Sequence, residues 1–249
     1  MNGVMSIRGL SKKFGNLQVI HDVNLDFTRG ALSAVIGPNG AGKTTLFNLM
    51  TGQIRPTAGS IKLDGVEITG MDPSGIVRQG VARAFQVASL FPSFTVAEAM
   101  VAAVMSHRNT LLNLWGDFPD QEALDRAREI LRDIGASGIE RQQCSALSHG
   151  DKKILDIALA LAMEPEVLLL DEPTSGMGRE ESRLMIDRIH HLWEEKQLTL
   201  IFIEHDMEIV FGIAQYVYVL RYGSLLASGT PEEIKHDPKV IEAYLGGEE

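Results

Sequence analysis

Residues 32–50 read Leu-Ser-Ala-Val-Ile-Gly-Pro-Asn-Gly-Ala-Gly-Lys-Thr-Thr-Leu-Phe-Asn-Leu-Met, and their order decides the fold. The apolar run Leu32–Ile36 is short enough for a buried strand and enters Gly37-Pro38-Asn39-Gly40-Ala41-Gly42-Lys43-Thr44 directly. Leu46, Phe47, Leu49 and Met50 then recur at helical spacing. Strand, glycine loop and helix in this order match G-x-x-x-x-G-K-[ST] in the context that gives the pattern meaning. The glycines let successive backbone N–H groups converge on phosphate oxygens, and the helix start adds partial positive charge. Lys43 then reaches the terminal phosphates of ATP, and Thr44 offers its hydroxyl to Mg²⁺. Gly37, Asn39, Gly40, Ala41, Gly42 and Thr45 complete the cradle. A turn that only caps a helix has no need of Lys followed by Thr.

Working outward, a second apolar run, Val167-Leu168-Leu169-Leu170, ends in Asp171-Glu172. Alone, a strand ending in two acids is an ordinary loop entry. After a phosphate loop, Asp171 suits Mg²⁺ and Glu172 suits polarisation of an attacking water. Towards the N-terminus, Val4–Leu10 and Val19–Phe27 alternate as strands, and Asp64-Gly65 between Ile61–Leu63 and Val66–Ile68 is a tight hairpin. From about residue 95 to 163 the period turns helical, with Leu124, Ala127, Leu131 and Ile134 on one face and Glu122 and Arg126 expected to pair one turn apart. Leu198–Ile203 and a helix carrying Met185, Ile189 and Leu192 return the chain to an α/β layout. Trp115 and Phe118 lie in the least regular stretch, Ser106–Pro119, which reads as a self-packed loop in the commoner case and as a docking surface in the other.

Composition narrows the function classes. With 23 Lys and Arg against 33 Asp and Glu, the net charge of -10 speaks against a surface built to neutralise nucleic acid phosphates. Cys144 is the one cysteine, so no intrachain disulfide forms, a reducing compartment is expected, and Cys144 reads as a packing residue. The greasiest stretch, Ile154–Leu170, is cut by Asp156, Glu164, Pro165 and Glu166, well short of the ~18 apolar residues of a membrane span.

Leu147-Ser148-His149-Gly150-Asp151 opens a helix some twenty residues before the Asp-Glu strand. Ser148 can cap that helix, and Asp151 completes an S-x-x-D box. By its position between the other motifs this stretch is similar to the LSGGQ signature, and nearly the whole chain resembles the ABC ATPases. The resemblance implies an α/β fold: a RecA-like P-loop ATPase core with an antiparallel β subdomain (about 1–87 and 162–249) and an inserted α-helical subdomain (about 88–161).

It also implies that Ser148, His149, Gly150 and Asp151 face the ATP held by a second ABC ATPase subunit, the same chain or a paralogue. Gln86 in Ala82-Arg83-Ala84-Phe85-Gln86 corresponds to the glutamine that approaches Mg²⁺ and the attacking water, and His205 to the switch histidine at the γ-phosphate. Phe14 corresponds to the aromatic that stacks on adenine; read from the residues alone it is equally a core strand residue. Three departures stand out: His149 for the first central glycine of the signature, Asp151 for its glutamine, and Met177 where most of the family carries Asp.

The phrases Leu90-Phe91-Pro92, Thr95-Val96, Ile203-Glu204-His205-Asp206-Met207 and Val240–Gly246 look like the ATPase subunits of branched-chain amino acid importers, including relatives that take up urea or short amides. That kinship implies two transmembrane permease subunits, indirectly an extracytoplasmic solute-binding protein, no nucleic acid, and a peripheral place on the cytoplasmic face of the inner membrane. The alternatives are a lipopolysaccharide-type exporter ATPase and, further off, an ABC ATPase of DNA repair or translation.

Overall fold

A computed structural model describes residues 3–84, 92–108 and 120–245. Strands β1 (Gly3–Phe14), β2 (Leu17–Thr28), β4 (Ala58–Leu63) and β5 (Val66–Glu67) form an antiparallel sheet in the order β2-β1-β4-β5. The β4–β5 turn has Asp64 at φ 49° and Gly65 at φ 79°, the left-handed pair a two-residue hairpin needs.

The second sheet runs β10-β9-β3-β8-β7-β6, with β3 (Leu32–Ile36), β6 (Val81–Ala84), β7 (Val167–Asp171), β8 (Thr199–Ile203) and β9 (Tyr216–Arg221) parallel and β10 (Ser224–Gly229) an antiparallel edge. All five residues of β3 are buried, which explains a sequence with no polar alternation: both faces of a parallel sheet are covered. Ala34, Ile36, Leu168, Leu170, Leu200 and Phe202 point into one apolar cluster, whereas Val35, Val167, Leu169, Ile201 and Ile203 point into the other. The second cluster holds the antiparallel sheet and helix α1 (Lys43–Met50). A short helix, α2 (Pro73–Arg78), leads into β6.

The first cluster takes in helices α3 (Val96–His107), α4 (Gln121–Asp133), α5 (His149–Leu161), α6 (Arg179–Lys196), α7 (Met207–Ile213), α8 (Pro231–His236) and α9 (Pro238–Leu245). Thr95 starts α3 with a capping box, its hydroxyl accepting from Glu98 N at 3.2 Å while Glu98 Oε2 accepts from Thr95 N at 2.7 Å. Cys144 is fully buried in this cluster, and burial pushes its thiol up. The expected Glu122–Arg126 pair does not form. Arg126 instead bonds Glu129 at 2.8 Å and Glu164 at 3.2 Å, leaving Glu122 to Arg108 at 2.9 Å, because those partners lie nearer than the i,i+4 neighbour. Among the described residues, no helix is long and apolar enough to cross a membrane. Trp115 and Phe118 lie outside the described residues.

Candidate functional site

The phosphate loop hangs from the end of β3 and is braced from behind. Gly223 N, in the β9–β10 turn, donates to Ala41 O at 3.1 Å. A Cβ on Gly37 would sit 2.2 Å from Leu220 O, and one on Gly42 2.8 Å from Ile20 Cδ1, so both positions require glycine. Gly42, at φ 99°, starts α1 without any side-chain cap, which leaves the first N–H groups of the helix to an anion. The Lys43 ammonium donates to Gly37 O at 2.7 Å and Pro38 O at 3.1 Å. Burial lowers its pKa, while the Glu172 and Asp171 carboxylates pull it back up. Thr44 is exposed and Thr45 half-buried.

One cavity of about 230 Å³ is lined by Val19, residues 39–45, Glu172 and His205. The structure thus brings together the phosphate loop, the second residue of the Asp-Glu pair and the histidine after β8. His205 Nε2 lies 2.8 Å from Glu172 Oε1. Glu172 itself sits at φ 49°, a costly conformation for a non-glycine residue. Its N–H donates to Ile203 O at 3.0 Å, and its carbonyl accepts from Lys153 Nζ at 2.8 Å and Ser175 N at 3.1 Å, so with the His205 bond the strained turn is held by four hydrogen bonds.

Asp171 ends β7 beside Arg83 of β6, and the two form an ion pair whose side chains are only 18% and 8% exposed. Arg83 also donates to Asn48 Oδ1 of α1 at 2.7 Å and lies over the Phe47 ring. Arg83 was legible only as part of a phrase, although a charged residue in a short buried strand is itself a signal. Glu204 was missed too. Its buried carboxylate accepts from Thr174 N at 2.9 Å, Thr174 Oγ1 at 2.7 Å and His205 N at 3.2 Å, fixing the segment after Glu172 to the histidine.

The signature start stands apart from this cavity. Ser148 caps α5 with its hydroxyl accepting from Asp151 N at 3.1 Å, and the same hydroxyl donates to Asp151 Oδ2 at 2.8 Å. Ser148 and His149 are exposed, Asp151 is half-buried, Gly150 is buried, and none of the four lines the cavity of the phosphate loop. His149 Nε2 bonds Ser175 O at 3.0 Å within its own chain. Phe14 also stays outside the cavity. It is 47% exposed at the end of β1 with Lys12 Nζ over its ring at 4.8 Å, which overturns the reading of Phe14 as a core residue. Gln86, Leu90 and Phe91 lie outside the described residues.

Residues 20–175 match the family described as ABC transporter, and residues 224–249 the family described as branched-chain amino acid ATP-binding cassette transporter. The high-affinity branched-chain amino acid transport ATP-binding protein LivG of Escherichia coli (strain K12) is 39% identical over 98% of both chains. The corresponding protein BraF of Pseudomonas aeruginosa is 38% identical, again over 98% of both. Among solved structures, the ADP conformation of MJ1267, an ATP-binding cassette of an ABC transporter, superposes with a TM-score of 0.86 at 26% identity over 99% of this chain and 100% of that one. A nucleotide-free ATP-binding cassette from an ABC transporter gives 0.85 at 27% identity over 97% and 98%.

Proposed function

The chain belongs to the ABC transporter ATP-binding proteins, and on that premise we propose that it is the ATP-hydrolysing subunit of an importer of branched-chain amino acids or related small amino acids and amides. The observation that carries the ATPase reading is the single cavity in which the phosphate loop, Glu172 and His205 meet. The cargo reading is supported by the LivG and BraF likeness and by the match of the C-terminal segment.

Backbone N–H groups of residues 39–45 and the Lys43 ammonium hold the β- and γ-phosphates, and Phe14, exposed beside the cradle's strand pair, stacks on adenine. Thr44 and Asp171 are hard oxygen donors that fit Mg²⁺, which neutralises phosphate charge when bound; Gln86 completes that set. Glu172 polarises the attacking water, and His205, hydrogen-bonded to it, orients the carboxylate and meets the γ-phosphate. The capped start of α5, exposed and away from this chain's own cradle, supplies the other wall of a second subunit's site. Two such subunits, the same chain or a paralogue, therefore close on ATP face to face and drive two transmembrane permeases, fed by an extracytoplasmic binding protein, from the cytoplasmic side of the membrane.

Replacing Glu172 by Gln keeps shape and removes the base. That variant is expected to bind MgATP, lose turnover by at least about a hundredfold, and accumulate as a dimer near twice 27.3 kDa in size-exclusion chromatography with light scattering. Turnover at the wild-type rate removes Glu172 from its role. Reconstitution with the permeases tests the cargo: stimulation of hydrolysis by leucine, isoleucine or valine with the binding protein supports it, and stimulation by none of the small amino acids or amides rejects it.

A further inference from the structure

Two of the departures from the family pattern, His149 and Met177, lie close together in the fold, either side of one contact. His149 stands on the first turn of α5, and its imidazole Nε2 reaches Ser175 O at 3.0 Å. The same nitrogen lies 3.1 Å from where a Cβ on Gly176 would be, so the ring rests directly on the Ser175–Gly176 backbone. One turn further along α5, Lys153 Nζ donates to Glu172 O at 2.8 Å. Two residues beyond Ser175, Met177 packs against the large apolar cluster and does not extend a charged side chain outward. The start of α5 is thus bonded at two points, six ångströms or so of helix apart, to the segment that begins with the strained Glu172 and ends with the inward-packed Met177.

We propose that His149 and Lys153 are positioning residues that tie the start of α5 to Glu172–Met177 as one moving unit. Through this unit, a nucleotide gripped by Ser148 in one composite site sets the backbone of Glu172 in the other. The proposal rests on the composite-site reading given above. Its physical basis is that Glu172 holds a left-handed conformation only while its surroundings over-determine it. Lys153 supplies one of those constraints from the very helix that faces the partner's triphosphate. A shift of α5 on closing around that triphosphate changes the Lys153–carbonyl bond and with it the aim of the Glu172 carboxylate. Where a glycine in the signature leaves the helix start free of the segment, His149 couples them, and the coupling runs inside the chain where Met177 offers no charge across it.

Hydrogen exchange on the isolated, nucleotide-free chain reads the tie directly. Combining His149→Gly with Lys153→Met is expected to speed amide exchange across residues 174–177 by about tenfold or more, because a charge-assisted bond and a second hydrogen bond are lost from the closed form. Lys152→Met, a neighbour on the same helix without a bond to the segment, is expected to exchange like wild type, and Lys153→Arg, which keeps a donor, to restore protection. Wild-type exchange in the double variant overturns the proposal. In the reconstituted transporter, wild-type turnover is expected to rise with ATP at a Hill coefficient above about 1.5 and the double variant to approach 1, the mark of two sites uncoupled. A wild type already at 1, or a double variant that stays cooperative, overturns the coupling. Should Ser148→Arg leave turnover intact, the composite-site reading fails instead, and the exchange result on the single chain still stands or falls by itself.

Discussion

The phosphate loop and the start of α5 are both helix N-termini that the proposed function sets against a triphosphate, yet they are built in opposite ways. The loop is walled in: Lys43 is folded onto two carbonyls of its own loop, Gly37 lies against Leu220 O, and Gly223 braces Ala41 from a distant strand. The start of α5 relies on a local serine cap and stands in the open, bonded to its neighbours by His149 and Lys153 alone among the contacts named above. The contrast teaches that the loop is finished within one chain, whereas the start of α5 is left open, as the proposed pairing with a second subunit requires. It also locates where substitutions act: on folding at the loop, on assembly at the helix.

The sharpest way to break this contrast is to add one methyl group on each side. Gly37→Ala drives a Cβ into a backbone carbonyl that cannot step aside and is expected to cost about 3 kcal/mol or more of stability by chemical denaturation. Gly150→Ala meets the tip of Glu181, 2.4 Å away in its present rotamer but free to swing, and is expected to cost under about 1 kcal/mol. Equal losses would erase the distinction. Next in size, Lys43→Ala is expected to weaken ATP binding by about 1.5–3 kcal/mol, since a charge-assisted contact to the phosphates disappears. Calorimetry that finds unchanged affinity contradicts the cradle.

Ser148→Ala removes an N-cap and is expected to cost about 1 kcal/mol of stability, with a far larger proportional loss in MgATP-driven dimerisation measured by light scattering. The smallest effect concerns pH. Because burial holds the Lys43 pKa below 10.5 in the folded chain, the unfolded chain binds the proton more tightly there, so Lys43 weakens the nucleotide-free fold while charged. That deficit is expected to disappear as pH rises from the depressed value towards 10.5, and Lys43→Met to abolish this alkaline gain in thermal denaturation.

The same contrast explains what could be read from sequence. The loop was legible because each of its demands, glycines for close approach, a lysine for charge, an apolar run on either side, is a local one written in adjacent residues. Asp171 and Glu172 followed from it, and so did the buried strands of the parallel sheet, whose apolar runs carry their own burial. Arg83 and Glu204 escaped because their meaning is tertiary: Arg83 counts only once β6 lies beside β7, and Glu204 only once Thr174 turns back to it. Phe14 could not be decided from spacing, since strand alternation assigns a face without saying whether that face is covered. Arg126 chose Glu164 and Glu129 over Glu122 because a helix surface offers several acids within reach and packing selects among them.

The brace behind the phosphate loop has a consequence for biosynthesis. Leu220 and Gly223 come some 180 residues after the glycines they support, and β3 gains its parallel neighbour β9 from the same late stretch. A nascent chain emerging from the ribosome therefore carries the whole glycine loop long before it owns the wall that shapes it. The braced shape of the loop waits on residues made long after the loop itself, so its preorganisation is a late event in synthesis.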